Sequence, residues 1–127
     1  MSVPKDLRYT KDHEWVRIEG DEATVGITAY AAEQLGDIVF VELPDVGRTL
    51  AQAAAFGVVE SVKAVSDLFA PVSGEVVATN GELTGSPELV NGYPYGGGWM
   101  VRVRVADPDQ TTELLDADAY DALIAAG

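Results

Sequence analysis

The sequence predicts a β-rich α+β fold in which short antiparallel strands precede a terminal helix. Three observations carry that prediction. Short β-prone runs separated by glycine or proline fill most of the chain, the run from Trp99 to Val105 alternates, and helical spacing begins only after Asp107. Alternation with period two is typical of a half-buried strand, and strands followed by a helix are typical of α+β proteins. The 127 residues suit a single domain, with a core over about 8–106 and a C-terminal helical segment at 108–125.

The first half of the chain is predicted to form a hairpin, a short helix and a buried strand. Residues 13–28 contain two β-prone runs around Gly20, which is typical of a hairpin turn. Thr28 is suited to cap a short helix near 28–35. The continuous apolar run 37–44 is consistent with a buried strand.

The second half is predicted to hold a lysine-centred hairpin, a long loop and the alternating strand. The β-rich runs 56–62 and 64–72 flank Lys63 closely, and a further strand covers 74–79. Residues 80–98 contain two prolines and three consecutive glycines, so we expect a long loop there. The strand after that loop is expected to place two sets of side chains on opposite faces: Trp99, Val101, Val103 and Val105 on one, Met100, Arg102 and Arg104 on the other.

Composition excludes several functional classes. The net charge of −13 leaves nothing to neutralise phosphates, so nucleic acid is excluded as a partner. The absence of cysteine excludes disulfides, thiolate metal sites and cysteine nucleophiles. No apolar run approaches the roughly 20 residues of a membrane span. The start of the chain lacks the apolar core of a signal peptide, which favours the bacterial cytoplasm, although a mature mitochondrial protein would look the same.

No self-contained active site is visible in the sequence. The single histidine, His13, is followed by Glu14, but Arg17 stands where a zinc-binding helix has its second histidine. The chain has no Gly-x-Ser-x-Gly elbow, and Asp116-x-Asp118 lacks the glycine and distal glutamate of a calcium loop. We therefore expect no catalytic residues and no metal site, and a structural role for His13.

Lys63 is the cation that needs an explanation. The chain has only three lysines, and Lys63 alone lies inside an apolar, β-prone run. A tight hairpin would hold its side chain out at the tip, where the ammonium stays solvated and a modifying enzyme can reach it. Such an amine is suited to carry a prosthetic group. An ordinary edge lysine that discourages aggregation would give the same pattern.

The segment Glu60–Val76 resembles the lipoyl-attachment segment of the H-protein of the glycine cleavage system. Glu-Ser-Val-Lys-Ala, with Pro-x-Ser-Gly ending eleven residues past the lysine, is highly specific. Other resembling segments follow in the same order along nearly the whole chain: YTKDHEWVR at 9–17, VGIT at 25–28, QLGDIVFVELPDVG at 34–47, LTGSPELVN at 83–91, PYGGGWM at 94–100 and LLDADAY at 114–120.

The resemblance implies a lipoyl/biotinyl-type hammerhead sandwich of small antiparallel sheets with a C-terminal helix. It also implies a carrier rather than an enzyme. The glycine decarboxylase (P-protein) would load an aminomethyl group on lipoate, and the aminomethyltransferase (T-protein) would remove it. Dihydrolipoamide dehydrogenase (L-protein) would then reoxidise the dithiol. A monomer that meets these enzymes and a lipoylating enzyme is expected.

Five site residues follow from the resemblance. Lys63 would carry lipoate in amide linkage, and Glu60 and Gly74 would help the lipoylating enzyme recognise the site. Glu14 and Asp67 would line a cleft that receives the amine-bearing arm, since opposite charge favours an ammonium.

The chain departs from the family pattern at several positions, of which two bear on the site. Asp12 would make the cleft more negative, and Ala53 replaces a usual glycine, which leaves the geometry of the turn before Phe56 open.

Two other interpretations stay open. Another swinging-arm module, lipoyl or biotinyl, would also use a projecting lysine, but those carry Asp-Lys-Ala or Met-Lys-Met. A non-lipoylated H-like binding protein, or an enzyme that uses Lys63 for a Schiff base, is the third class. The last would need a desolvated amine with a lowered pKa.

Overall fold

The computed structural model describes residues 3–126, and within them the chain forms nine strands and five helices. The strands are β1 (Arg8–Tyr9), β2 (Glu14–Glu19), β3 (Glu22–Ile27), β4 (Ile38–Glu42), β5 (Thr49–Leu50), β6 (Ala55–Ser61), β7 (Val65–Phe69), β8 (Gly74–Thr79) and β9 (Val101–Val105). The helices are α1 (Ala29–Leu35), α2 (Glu82–Gly85), α3 (Leu89–Gly92), α4 (Asp109–Thr112) and α5 (Ala117–Ala126). None of these helices is long and apolar enough to cross a membrane.

The strands form two antiparallel sheets. The larger sheet has six strands in the order β1-β2-β3-β9-β8-β5, and the smaller has three in the order β4-β6-β7. The chain passes between the sheets four times, through residues 28–37, 43–48, 51–54 and 70–73. Residues 51–54 join β5 to β6, and residues 70–73 join β7 to β8. The predicted β-rich α+β sandwich of small antiparallel sheets, with a short helix after residue 28 and a C-terminal helix, is confirmed.

The main core lies between the two sheets. Antiparallel sheets with one apolar face each bury those faces against one another. The larger sheet, the smaller sheet and the helices each contribute buried side chains to one cluster: Val25, Val76, Val101 and Val103 from the first, Val41, Val59 and Leu68 from the second, and Ala32, Leu83 and Val90 from the third.

The C-terminal segment covers a second apolar cluster, formed by Val3, Leu7, Tyr9, Trp15, Ala117 and Tyr120. Tyr9 and Tyr120 stack with ring centroids 4.7 Å apart. Tyr9 and Leu115 also exchange two backbone hydrogen bonds, each 2.8 Å long. The end of the chain is thus held against its beginning.

The turn between β2 and β3 and the start of α1 form as predicted, each because of a residue at that position. Gly20 adopts φ +64° in the turn between β2 and β3, a conformation that glycine adopts without the steric cost of a Cβ. The Thr28 Oγ1 accepts the Ala31 N–H at 3.2 Å and so caps α1. Gly36, with φ +84°, ends that helix.

Three local predictions were wrong. The run 37–44 is not a fully buried strand, because β4 is an edge strand whose Val39 and Phe40 face outward. The predicted loop 80–98 contains the helical turns α2 and α3. Met100 is buried rather than on the polar face, because β9 begins only at Val101 and the Met100 N–H bonds the Val25 carbonyl at 2.8 Å.

Candidate functional site

Lys63 lies at the tip of the hairpin formed by β6 and β7, as the sequence predicts. The three-residue connection, Val62 to Ala64, is fixed by Ser61. The Ser61 Oγ accepts the N–H of Lys63 at 3.3 Å and of Ala64 at 3.0 Å. The Ser61 N–H donates to the Ala64 carbonyl at 2.8 Å. The Lys63 side chain is exposed, so a defined turn presents a free primary amine.

The turn between α1 and β4 packs against this hairpin. The Asp37 carbonyl accepts the Val62 N–H at 3.0 Å. The Lys63 Cε lies 3.6 Å from the position that a Cβ on Gly36 would occupy. The Asn91 side chain clamps the turn, since its Nδ2 donates to the Gly36 carbonyl at 2.9 Å and its Oδ1 accepts the Ile38 N–H at 2.9 Å. Asn91 therefore positions the lysine indirectly.

Sequence reasoning missed Asn91. It lies in a segment predicted to be loop, and its two partners are more than 50 residues away along the chain. Nothing in the local pattern shows that a side-chain amide will replace the missing backbone partners of a distant turn.

Glu14 is a buried carboxyl at the first position of β2, with 2% of its surface exposed. Its Oε1 accepts the Thr10 hydroxyl at 2.6 Å, and its Oε2 accepts the Phe69 N–H at 3.3 Å. Burial raises the pKa of Glu14 to about 7. The two hydrogen bonds act in the opposite direction, and the nearby Asp12 carboxylate raises the pKa further. Near neutral pH this carboxyl is therefore poised between its neutral and charged forms.

Glu14 opens into a cleft of about 320 Å³. The cleft forms where the N-terminal segment, the connections 51–54 and 70–73 and the C-terminal segment meet. Most of its lining is apolar, with Glu14, Asp12 and Glu113 as acidic members and Lys11 as a cation: Tyr9, Thr10, Lys11, Asp12, Glu14, Gln52, Ala53, Phe69, Ala70, Pro71, Glu113, Leu114, Leu115 and Leu123. Such a cleft suits a slender apolar group that ends in a cation.

Strand β7 connects the lysine hairpin to this cleft. Val65 follows the hairpin, and Phe69 at the other end both lines the cleft and donates its N–H to Glu14. At about 3.3 Å per residue, these two positions lie about 13 Å apart. A group on Lys63 would therefore have to follow β7 to reach Glu14.

Asp67 lies on this path. It is exposed on the same face of β7 as Val65 and Phe69, and it is not among the lining residues. A cleft role for Asp67 therefore stays a prediction. Asp12, which the sequence predicts to make the cleft more negative, lines the cleft near Glu14.

The two residues predicted to be read by a lipoylating enzyme occupy different sheets. Glu60 is half-buried on β6, three residues from the lysine, and lies opposite both Phe40 and Val65. Gly74 is buried in the larger sheet, where a Cβ would collide with the Arg104 carbonyl and with Val103. Close strand packing thus accounts for the glycine, and a recognition role for Gly74 stays a prediction.

His13 is engaged structurally. Its Nδ1 is 2.8 Å from the Tyr120 hydroxyl, which is also 2.8 Å from the Thr28 Oγ1. Burial lowers the pKa of His13. Within residues 3–126, no group of three or more His, Asp or Glu side chains is arranged to hold a metal ion.

Comparisons with known proteins agree with this geometry. The family model described as Glycine cleavage H-protein matches residues 7–126. A glycine cleavage system H protein of Magnetococcus marinus is 62% identical over 96% of this chain and 87% of that protein. The one of Phenylobacterium zucineum is 61% identical over 94% of this chain and 98% of that protein.

A solved structure matches nearly the whole fold. The crystal structure of a glycine cleavage system H protein from Mycobacterium marinum superimposes with a TM-score of 0.90 and 43% identity. The match covers 97% of this chain and 99% of that one.

Proposed function

Because the chain belongs to the glycine cleavage H-protein family, we propose that it carries lipoate in amide linkage on Lys63 and passes an aminomethyl group between enzymes. The P-protein would load the group and the T-protein would remove it. The L-protein would then restore the disulfide. The observation that carries the proposal is the free amine of Lys63 at the tip of an ordered hairpin, inside the region that matches the family.

The attached lipoate would supply a strained disulfide whose sulfur accepts and releases the one-carbon unit. The chain's own residues have a positional task. Ser61 fixes the turn and Asp37 holds the Val62 amide, so the base of the arm starts from a constant place. A tether of this kind raises the arm's effective concentration at each partner's active site.

The cleft at Glu14 would receive the end of the arm when it bears an amine. The apolar side chains of the lining would pack against the arm, and a cation close to Glu14 would lower the pKa of that carboxyl because opposite charges favour the ionised form. The carboxyl would lose its proton as the amine enters, and neutral Glu14 would remain when the cleft is empty at slightly acidic pH. Asp67, exposed along β7, would meet the arm between its base and the cleft.

The chain would act as a carrier rather than as a catalyst. The transferable group would sit on an exposed side chain, and each bond-making step would take place in a partner's active site. A lipoylating enzyme would prepare the arm, with Glu60 next to the lysine as one recognition point and Gly74 as a second. Exchange between separate enzymes suits a monomer in the bacterial cytoplasm.

Intact-mass spectrometry tests the attachment. Incubation with lipoate, ATP and a purified bacterial lipoate–protein ligase is expected to add one lipoyl group, and peptide mapping is expected to place it on Lys63. The Lys63→Arg variant keeps the charge and length but should take up no lipoyl group. It should also abolish glycine-dependent carbon dioxide release with purified P-, T- and L-proteins.

Lys5→Arg and Lys11→Arg are matched controls and should behave like the wild type. An adduct on Lys5 or Lys11 would contradict the proposal, as would full turnover with Lys63→Arg. Attachment of biotin in place of lipoate by a biotin ligase would indicate the other kind of swinging-arm module.

A further inference from the structure

The outer face of the smaller sheet, which turns away from the core, carries two cross-strand rows. In the first row Phe40, Glu60 and Val65 lie opposite one another on β4, β6 and β7. In the second row Glu42, Val58 and Asp67 do the same. Directly paired residues of antiparallel strands project from the same face, so these six side chains form one surface. We call it the outer face.

The outer face exposes large apolar side chains close to Lys63. Phe40 is 46% exposed and Val65 is 65% exposed. Val39 in the bulge of β4 and Val62 beside the lysine are exposed as well. Four of the eight large hydrophobic side chains that residues 3–126 leave exposed are thus gathered around one hairpin. Clustering of this kind marks an interaction surface more often than scattered exposure does.

The charges on the outer face are all negative. Glu42, Glu60 and Asp67 are its charged members, and none of them forms an ion pair within residues 3–126. On the larger sheet, by contrast, Glu22 and Glu75 are paired with arginines. Unpaired carboxylates around an apolar row are complementary to a partner surface with an apolar centre and a cationic rim.

We propose that the outer face is the docking surface for the enzyme that attaches the acyl group to Lys63. This inference rests on the proposed function. The first row, Phe40-Glu60-Val65, lies directly behind the hairpin tip, so it is the part of the outer face nearest to an enzyme that binds the Lys63 Nζ. The partner surface contributes apolar side chains to Phe40 and Val65 and cationic side chains to the three carboxylates.

No side chain of the outer face takes part in the acyl transfer itself. The acyl carbon of lipoyl adenylate forms an amide bond with Nζ as its bond to the phosphate oxygen breaks. AMP leaves, and the former ammonium gives up two protons to solvent. The outer face therefore acts on binding, and its loss should raise KM and leave kcat unchanged.

The test measures lipoyl transfer to Lys63 by a purified bacterial lipoate–protein ligase with lipoate and ATP. The variant Phe40→Ser/Val65→Ser should lower kcat/KM about tenfold or more through KM, the loss expected when anchors of an interface are removed. Val46→Ser/Tyr93→Ser is the matched control. Both side chains are exposed to a similar extent as Phe40 and Val65, but they lie off the outer face. This control variant should match the wild type.

Two further variants keep the test independent of folding. Val62→Ser and Val65→Thr alter side chains that are about two-thirds exposed, so the fold should tolerate them while transfer slows. For the charges, Glu42→Gln/Asp67→Asn should flatten the fall of kcat/KM with added salt. Glu19→Gln/Asp21→Asn removes two exposed carboxylates elsewhere and should keep the wild-type salt dependence.

The possible failures are distinct. If wild-type Lys63 accepts no lipoyl group, the proposed function fails. If the wild type is lipoylated and the folded outer-face variants are lipoylated with unchanged KM, or lose no more than the control variants, the docking surface is wrong and the carrier function stands. Normal lipoylation with slowed loading by the P-protein would also overturn the inference, since it would assign the face to another partner.

Discussion

The two sheets contain similar apolar residues and use them differently. On β9 in the larger sheet, Val101 and Val103 are completely or almost completely buried. On β4 in the smaller sheet, Val39 and Phe40 are about half exposed. The larger sheet has neighbours on both faces, whereas the smaller one turns a face to solvent that nothing in residues 3–126 covers. The larger sheet therefore supplies stability, and the smaller sheet presents the lysine.

The largest effect that would sharpen this comparison is expected at Gly74 in the larger sheet. A Cβ there would meet the Arg104 carbonyl and Val103, inside a strand pair that cannot separate without opening the core. Gly74→Ala should lower the free energy of unfolding by about 3 kcal/mol, the upper end of the usual cost of overpacking, measured by urea denaturation.

Gly57→Ala is the matched change in the smaller sheet. A Cβ at Gly57 would collide with the Glu42 carbonyl, but β4 is an edge strand and can shift away, and β6 has a bulge beside Gly57 in its pairing with β7. A smaller loss of stability is expected. If Gly74→Ala and Gly57→Ala lose the same free energy of unfolding, the larger sheet does not contribute more to stability than the smaller one. Measured on folded protein, lipoylation of Gly74→Ala also separates a packing role for Gly74 from a recognition role.

The next effect is expected at Glu14, where the sheets meet. Its pKa of about 7 in the folded chain exceeds the ordinary value of 4.5, so the folded state binds the proton more tightly than the unfolded state. The stabilisation is complete below about pH 4.5 and is lost as the pH rises through 7. Between these limits the wild type should lose about 2–3 kcal/mol relative to Glu14→Gln, measured by urea denaturation from pH 4 to pH 8.

The exposed Glu19, at the other end of β2, provides the control: Glu19→Gln should retain the wild-type pH dependence. If Glu14→Gln retains it as well, the buried carboxyl is not the titrating group. The same variant should shorten the lifetime of the amine-loaded carrier, because the cleft loses its anion. Asp67→Asn should shorten it less, since Asp67 is exposed and its charge is screened by solvent. Unchanged lifetimes in both variants would remove their proposed role.

The smallest effect is expected in the turn 51–54, which joins β5 of the larger sheet to β6 of the smaller. Ala53 adopts φ +71° there, a left-handed conformation that costs an L-residue about 1–2 kcal/mol. Ala53→Gly should relieve that strain and, after the entropy cost of a glycine, stabilise the chain by about 0.5–1 kcal/mol. Thermal unfolding checks the sign. Ala54→Gly, at a neighbour without positive φ, should destabilise instead, and the same sign for both would refute the strain.

Sequence reasoning succeeded where the cause is local. The turn at Gly20, the cap at Thr28 and the exposed position of Lys63 each depend on a few neighbouring residues. It failed where the cause is distant. The run 37–44 was predicted to be buried because its residues are apolar, but burial also requires a partner layer, and no local pattern reports whether one exists.

The candidate site divides in the same way. The resemblance of residues 60–76 was enough to single out Lys63 and Glu60. It was not enough to show that Asn91 holds the turn beneath the lysine, or how deeply Glu14 is buried. Those outcomes depend on contacts between segments far apart along the chain.

The sequence by itself determined the strand-rich order of elements, the acidic surface and the single lysine within a β-hairpin, because residue type and short-range geometry fix these. The tertiary structure alone decided which apolar residues remain exposed, how deeply Glu14 is buried and what its proton affinity becomes. Exposure and desolvation depend on what packs against a residue, and that is settled only when both sheets and the C-terminal segment come together.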